Sequence, residues 1–514
     1  MFASIRSSCL VGLDAVSIDV EVNLRNGQPR FSIIGLGGAA VRESKERILA
    51  ALEFCGFDPP GQILVNLAPA ELRKESSVFD LPIAIAILVA MGVVPADRTA
   101  RAVFCGELSL TGEVKRLTGA VAHGLHALKG GVKQIFVPKE DAVETAVVRE
   151  IDVVPVISLA QTLRILGGKE EPSRAIPAEI EQRPGTRSLH DVVGQQPTKE
   201  ALIVAAAGGH NMLMVGPPGC GKSMIAERLS LILPPLSSEE MLEVVQVHSV
   251  AGQATASILQ GVRPFRAPHH VISEPGLIGG GSGPRPGEIS LAHRGVLFLD
   301  EFPEFRRGTL EALRAPLECG RVQLARARAS VHFPARFQLI AAMNPCPCGR
   351  LGGSSGVCRC SHYAVRDYLA RLSQPILDRI DLQVELDGIN VEDLAYSERV
   401  SGRDDAEIRE SIANARRKQM DRFGCLNSEV SDVQMREQSE QTASARTLLA
   451  EATRKLGVSA RGYMRLLRVA RTIADLAGSA TVSEEATAQA LGYRCLERLH
   501  NIINSGSSLR ISAH

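Results

Sequence analysis

Asn211-Met-Leu-Met-Val-Gly216-Pro-Pro-Gly-Cys-Gly221-Lys222-Ser223 is the stretch from which the rest of the chain is read. Met212 to Val215 is a short apolar run that predicts a buried strand, and the periodic stretch Met224 to Leu233 predicts a helix. Between them Gly216, Pro217, Pro218, Gly219, Cys220, Gly221, Lys222 and Ser223 make Gly-x-x-x-x-Gly-Lys-Ser. Strand, glycine loop and helix stand in the order a phosphate cradle needs. Gly219 and Gly221 let backbone N–H groups close on phosphate oxygens, and the helix N-terminus favours the anion. Lys222 is placed for the β- and γ-phosphates and Ser223 for Mg2+. The alternative is a chance glycine turn.

A second motif favours the phosphate reading. In Gly295-Val-Leu-Phe-Leu-Asp300-Glu301, four apolar residues end in two carboxylates, as in a buried parallel strand that delivers acids at its C-terminal edge. Asp300 is expected to hold Mg2+ through water, and Glu301 to polarise an attacking water. The two motifs together predict ATP and Mg2+ as cofactors.

The 514 residues suggest about three domains. With 58 Lys and Arg against 57 Asp and Glu, no global field draws the chain to nucleic acid, so any such binding comes from local patches. Trp is absent, which argues against large stacking platforms. Arg6, Asp14 and Asp19 interrupt any leader-like apolar run. Leu81–Val94 is too short for a membrane span and reads as a core helix. Eleven Cys, seven of them scattered, suit a reducing compartment, so a cytoplasmic location without membrane attachment is expected.

Residues 1–170 mix alternating strands (Ala15–Asn23, Phe31–Ile34, Ile63–Leu67) with helices (Arg42–Phe54, Leu81–Met91), which predicts an α+β domain. Residues 171–188 are rich in Pro and polar groups and read as a linker. Residues 189–390 carry both motifs and read as an α/β nucleotide domain. Within it, His248–Pro286 is dense in Gly and Pro and reads as irregular. His269 and His270 there lack a third ligand at metal spacing and are expected to pack in a loop. A helix is predicted over Arg307–Ala315. Gly320–Pro334 then reads as a hairpin, with four arginines between 321 and 336 and no acid among them. Arg326 and Arg328 fall on one face of an alternating strand and are expected to bind DNA phosphates, the alternative being a solvated face. Cys346-Pro-Cys348 and Cys358-Arg-Cys360, within the insert 346–360, offer four thiolates for a structural Zn2+, with His362 as a replacement ligand. Residues 391–514 read as a helical lid: Asp404–Asp421, Thr442–Leu456, Ala460–Leu476 and Ser483–Asn501. Ser483 is placed as an N-cap with two acids in the first turn. Arg465 and Arg468 share a helical face and are expected in solvent.

Two resemblances follow. Gly106-Glu-Leu-Ser-Leu-Thr-Gly112-Glu-Val114 and Gly130-Gly-Val-Lys-Gln-Ile-Phe-Val-Pro138-Lys-Glu140 resemble the proteolytic domain of Lon proteases, a ribosomal protein S5 domain 2-like fold. On that alignment the Ser nucleophile falls near Val78 and the Lys base near Val121. Valine supplies neither group, so the resemblance implies a non-proteolytic module.

The remainder resembles AAA+ ATPases of the clade with magnesium chelatases and MCM helicases. There the resemblance implies an adenine pocket lined by Asp191–Gln195, a pore hairpin with Arg326 at its basic tip, and Asn344 as a polar sensor of the lytic water. It also implies Arg379, in Leu377-Asp-Arg379-Ile-Asp381, as a finger reaching a neighbouring subunit, and Arg461 as a lid arginine touching the γ-phosphate in cis. With Arg263–His270 and Pro286–His293 added, nearly the whole chain is similar to the YifB group of magnesium-chelatase-like AAA+ proteins. That resemblance implies a hexameric ring ATPase acting on single-stranded or branched DNA, driving branch migration during integration of transforming DNA. Three other classes stay open: a chelatase motor subunit, a Lon-type protease, and a protein-remodelling ATPase, which would normally carry an aromatic pore loop.

Overall fold

Alternation of apolar and polar residues along the first 70 residues builds a sheet with one face buried. A computed structural model describes residues 1–496 apart from 36, 59, 73, 75, 178–187, 254, 282–283, 326–329, 352–356, 389–403 and 457. In it β1 (Phe2–Val11), β2 (Asp14–Arg25), β3 (Arg30–Ile34), β4 (Gln62–Ala68), β5 (Ala102–Phe104), β6 (Gln134–Pro138) and β7 (Asp152–Val156) form one sheet in the order β3-β4-β2-β1-β5-β6-β7. β1 and β2 make an antiparallel hairpin in which Val11 faces Asp14. β5, β6 and β7 run parallel to one another. Ile18, Val20 and Val22 lie two apart on β2, and all are buried.

Helix α1 (Ala39–Phe54) and helix α2 (Asp80–Ala90) cover this sheet. The apolar run predicted as a core helix is α2, with ten of its eleven residues buried, so it has no solvent face. Its first residue, Asp80, is buried and held by Arg47 at 2.7 Å. Burial nevertheless pushes the Asp80 carboxyl above its ordinary range. Val78 and Val121 are both core residues. Among the described residues no helix is long and apolar enough to cross a membrane.

The second sheet is parallel throughout. Its strands are β8 (Met212–Val215), β9 (Phe265–Arg266), β10 (Val296–Leu299), β13 (Gln338–Met343) and β14 (Leu382–Glu385), in the order β9-β10-β13-β8-β14. Every residue of β8, β10 and β13 is buried, which explains why β8, β10 and all of β13 after Gln338 read as apolar runs. Helices α4 (Gln196–Gly208) and α5 (Lys222–Ile232) pack on the sheet. Between β10 and β13 the chain makes a separate two-stranded ribbon, β11 (Arg321–Ala325) with β12 (Ser330–Pro334). The predicted hairpin is there, while Arg326 and Arg328 lie outside the described residues. The helix expected over Arg307–Ala315 is instead two turns, Arg307–Glu311 and Arg314–Cys319. Pro316 cannot donate back to Ala312, so a continuous helix is interrupted there.

Among the described residues five helices follow: α7 (Asp405–Phe423), a two-turn helix Asp432–Gln438, α8 (Ala443–Leu456), α9 (Ala460–Leu476) and α10 (Glu484–Gly492). Ser483 caps α10 by accepting from the Ala486 N–H, as expected. The helix ends at Gly492, short of the predicted Asn501, which lies outside the described residues.

Two helices outside these sets join the two halves. Helix α3 (Ala120–Lys129) belongs to the first half and lies against α6 (Ser238–Val250) of the second. A capping box between Ser237 and Glu240 starts α6. Met241, Val244 and Val245 then enter the core of the first sheet, together with Leu236, Ile258 and Leu259. Glu240 and Glu243 point the other way, to Arg263 at 2.8 Å and Arg294 at 2.8 Å. The segment His248–Pro286 is thus not irregular throughout. It begins inside α6 and contains short helices at Ala256–Leu259 and Glu274–Ile278.

Candidate active site

Parallel strands deliver their C-terminal residues to one edge, and β8, β10 and β13 are adjacent. β8 therefore hands its loop to the point where β10 presents Asp300 and Glu301 and β13 presents Asn344. Gly219 and Gly221 take φ of +79° and +89°, so the loop closes through conformations that a side chain would strain.

The side chains converge. Lys222 Nζ donates to the carbonyls of Gly216 at 2.7 Å and Pro217 at 2.8 Å, and to Asn344 Oδ1 at 3.1 Å. Burial holds the Lys222 ammonium below its ordinary pKa, against the favourable fields of Cys220 and Asp300. An anion entering the loop would compete for that ammonium. Ser223 Oγ donates to Asp300 Oδ2 at 2.8 Å. A hydroxyl and a carboxylate side by side, open to water, fit the oxygen set that Mg2+ takes when it keeps most of its hydration.

Glu301 has φ +52°, a left-handed conformation for a residue with a Cβ, which costs roughly 1–3 kcal/mol. Its N–H donates to Asp300 Oδ1 at 2.8 Å. Its carboxylate meets His270 Nδ1 at 2.8 Å. The two histidines pack in a loop, as expected, and His270 in addition reaches Glu301, a contact that residue spacing alone does not show. The register that pairs Phe265 with Val296, continued beyond both strands, brings His270 beside Glu301. His269 lies against the His270 ring at 4.2 Å between centroids, and Phe305 approaches its edge.

A similar contact fixes the base of the same strand. Arg336 N–H donates to His293 Nδ1 at 3.0 Å, so Nδ1 carries no proton, and the Nε2–H faces Glu243 at 3.1 Å. His293 is thereby the neutral tautomer, in keeping with burial that lowers its pKa. The hydrogen bond from His293, with help from Arg294, holds the Glu243 carboxyl down to about 2.

Arg379 and Arg461 are elsewhere. Asn211, which precedes β8, donates to the Arg379 carbonyl at 2.8 Å. The four residues of β8, roughly 13 Å of strand, separate that point from the glycine loop. Arg379 pairs with Glu318 at 2.8 Å and shares a cavity of about 320 Å³ with Arg461, Arg465, Arg468, Asp378 and Asp432. Arg461 therefore stands with Arg379 and away from Lys222, contrary to a cis placement on this chain's own loop. Arg465 is buried and donates to the Leu377 and Ile380 carbonyls and to Asp378 at 3.0 Å. Arg468 donates to the Val430 carbonyl and to Asp432. Neither lies free in solvent: both tie α9 to neighbouring segments.

Beyond Asn344, Cys346, Cys348, Cys358 and Cys360 bring their sulfurs within 4.8 Å of one another. Cys346 and Cys348 are 3.4 Å apart, and each is 3.7 Å from Cys358. Burial raises the Cys348 thiol, but the backbone N–H groups of Arg359 and Arg350 overcome this and bring it down to about 6. Four sulfurs at this spacing, one already inclined to ionise, fit a tetrahedral Zn2+ site without His362. Gly349 lies so close to the glycine loop that a Cβ there would be 2.6 Å from Pro218 Cδ.

Three family models match this sequence: "Magnesium chelatase, subunit ChlI" over residues 188–394, "Subunit ChlI of Mg-chelatase" over 20–141, and "Magnesium chelatase, subunit ChlI C-terminal" over 402–494. Competence protein ComM of Haemophilus influenzae is 40% identical over 503 residues, 97% of this chain and 98% of that protein. The YifB protein of Escherichia coli (strain K12) is 38% identical over 496 residues, 96% and 97% of the two chains. The magnesium-chelatase 38 kDa subunit of Rhodobacter capsulatus is 26% identical over 348 residues, 62% of this chain and 91% of that protein. Full-length similarity to the first two and the architecture of the parallel sheet agree: the chain belongs to the ComM/YifB family of magnesium-chelatase-like AAA+ proteins.

Proposed function

We propose that this protein is an ATP-hydrolysing ring motor, a hexamer, that acts on single-stranded or branched DNA and drives branch migration during integration of transforming DNA. The observation that carries the reading is the division of the site. Lys222, Ser223, Asp300, Glu301 and Asn344 converge at one edge of the sheet, while Arg379 and Arg461 stand at the other. One copy offers a nucleotide cradle without its arginines, and the next copy in a ring supplies them. When bound, ATP with Mg2+ supplies the transferable phosphoryl group. The residues of this chain bind it through Lys222 and the loop N–H groups, position the metal through Ser223 and Asp300, and accept a water proton at Glu301.

DNA binding is read from the sequence, the four arginines between 321 and 336 with Arg326 and Arg328 among them, and from the name of the ComM relative. The four-cysteine cluster is read as a structural zinc site and the first domain as a non-proteolytic Lon-like module. The division 1–170, 171–188, 189–390 and 391–514 is kept as the working domain plan, with a cytoplasmic setting. The family descriptions favour a second reading, the motor of a metal chelatase, which would ignore DNA. The deciding experiment measures ATP turnover without DNA, with single-stranded DNA and with a four-way junction, at two salt concentrations. Stimulation that weakens with salt is expected of a motor that grips phosphates. Turnover indifferent to every DNA would remove the DNA reading and leave the chelatase one.

A further inference from the structure

The β11–β12 ribbon pairs with no other strand among the described residues. A two-stranded ribbon is marginally stable by itself, so its stance depends on what packs against it. Val322, Val331 and Phe333 bury one face on the nucleotide core. The first domain also reaches it. Gly12, in the β1–β2 turn, has φ +67°, and a Cβ built there would stand 2.6 Å from Val331 Cγ1. The backbone of the turn thus rests directly on β12. Leu13 packs against the same cluster, and its carbonyl accepts from Gln246 of α6 at 2.7 Å.

The turn is itself held firmly. Its strands β1 and β2 run in register from Val11 and Asp14 back to Phe2 and Asn23. Helix α6 is locked to the first domain by buried Glu144, which accepts from Ser249 at 2.6 Å and, just beyond the helix, from Thr255 at 2.9 Å, and by Gly119 N–H on the Ser249 carbonyl at 3.0 Å.

We propose that the first domain is a bracket for the arginine ribbon. Gly12 and Leu13 are positioning residues that set where β11–β12 stands on the nucleotide core. DNA engagement then depends on a domain that, among the described residues, contributes no group to the nucleotide site. The inference rests on the DNA reading above for its functional consequence, and on the packing alone for its mechanical part.

The test uses the full chain with Leu13→Asp and the volume-conserving Leu13→Met. Three quantities are read: amide hydrogen exchange over residues 321–334 without DNA, basal ATP turnover, and affinity for a fluorescent single strand. In Leu13→Asp, loss of the buried contact is expected to raise exchange in β12 and to weaken DNA affinity, each about tenfold, with basal turnover within about twofold. Leu13→Met should match the parent.

A second variant guards against misfolding of the first. The Cβ built on Gly12 lies 3.8 Å from Val331 Cβ, within the disulfide range. Gly12→Cys with Val331→Cys should therefore cross-link on mild oxidation, be identified by peptide mapping and reverse with dithiothreitol. Failure to cross-link, or unchanged exchange in Leu13→Asp, would overturn the bracket. Raised exchange with undiminished DNA affinity would overturn its role in positioning the ribbon for DNA. If the parent protein binds no DNA at all, the DNA reading falls, while exchange and cross-linking still decide the mechanical part.

Discussion

His270 Nδ1 and the Glu301 carboxylate stand 2.8 Å apart at the open edge of the parallel sheet, each just beyond the end of its strand. Glu301 also has a left-handed backbone whose N–H donates to Asp300, so its main chain and its carboxylate are held by separate contacts. His270 touches neither the glycine loop nor Asp300 in any described contact, which makes it a positioning residue. His270→Ala is expected to lower kcat about tenfold and leave KM for ATP unchanged, with partial rescue by His270→Asn. A rise in basal turnover would instead mark the contact as a restraint on Glu301.

The placement of Arg379 and Arg461 in one cavity gives a complementation test. Arg379→Ala and Arg461→Ala should each cut turnover by about 10³-fold, while ATP still binds. Lys222→Ala should abolish binding itself. Mixing Lys222→Ala with Arg379→Ala subunits should recover activity, because some interfaces then pair an intact loop with an intact arginine. Mixtures as dead as either parent would count against a shared site.

The cysteine cluster predicts about one zinc per chain by elemental analysis, lost in Cys348→Ser. Because Gly349 abuts Pro218, stripping the metal should both lower the melting temperature and weaken ATP binding. A chain that melts earlier but binds ATP as before would separate the cluster from the glycine loop.

His123 is fully buried, with Nδ1 2.6 Å from Ser8 Oγ, and burial lowers its pKa from 6.5 to about 4. The unfolded chain therefore takes up this proton first as pH falls. The neutral ring's contribution is fully present above pH 6.5 and is lost on going down towards pH 4. About 3 kcal/mol of stability is at stake in that window. Melts of the parent and of His123→Gln between pH 7.5 and 4 should show a shallower pH slope for the variant.

The nucleotide cradle was legible because its parts are contiguous: Met212–Val215, the glycine loop and the helix from Lys222 occupy adjacent positions. Asp300 and Asn344 were legible because buried parallel strands read as apolar runs whose first polar residue marks the functional edge. His270 was not, since its partner lies thirty-one positions away and only strand register relates them. Arg465 and Arg468 were misread for a related reason. Helical spacing shows which residues share a face, and not that Leu377, Asp378 and Val430 supply carbonyls and a carboxylate to that face. The interruption near Ala312 was, by contrast, available from Pro316.

Helix α6 has a consequence for anyone cutting the protein at its apparent seam. Its Met241, Val244 and Val245 belong to the core of the first sheet, although they are encoded after the glycine loop. A chain begun at Ser188 would strip their cover and leave an apolar stripe in water, beside the equally naked Ile258 and Leu259. Such a fragment would self-associate through that stripe, and rings or aggregates formed by it would report the exposed stripe and not the native assembly.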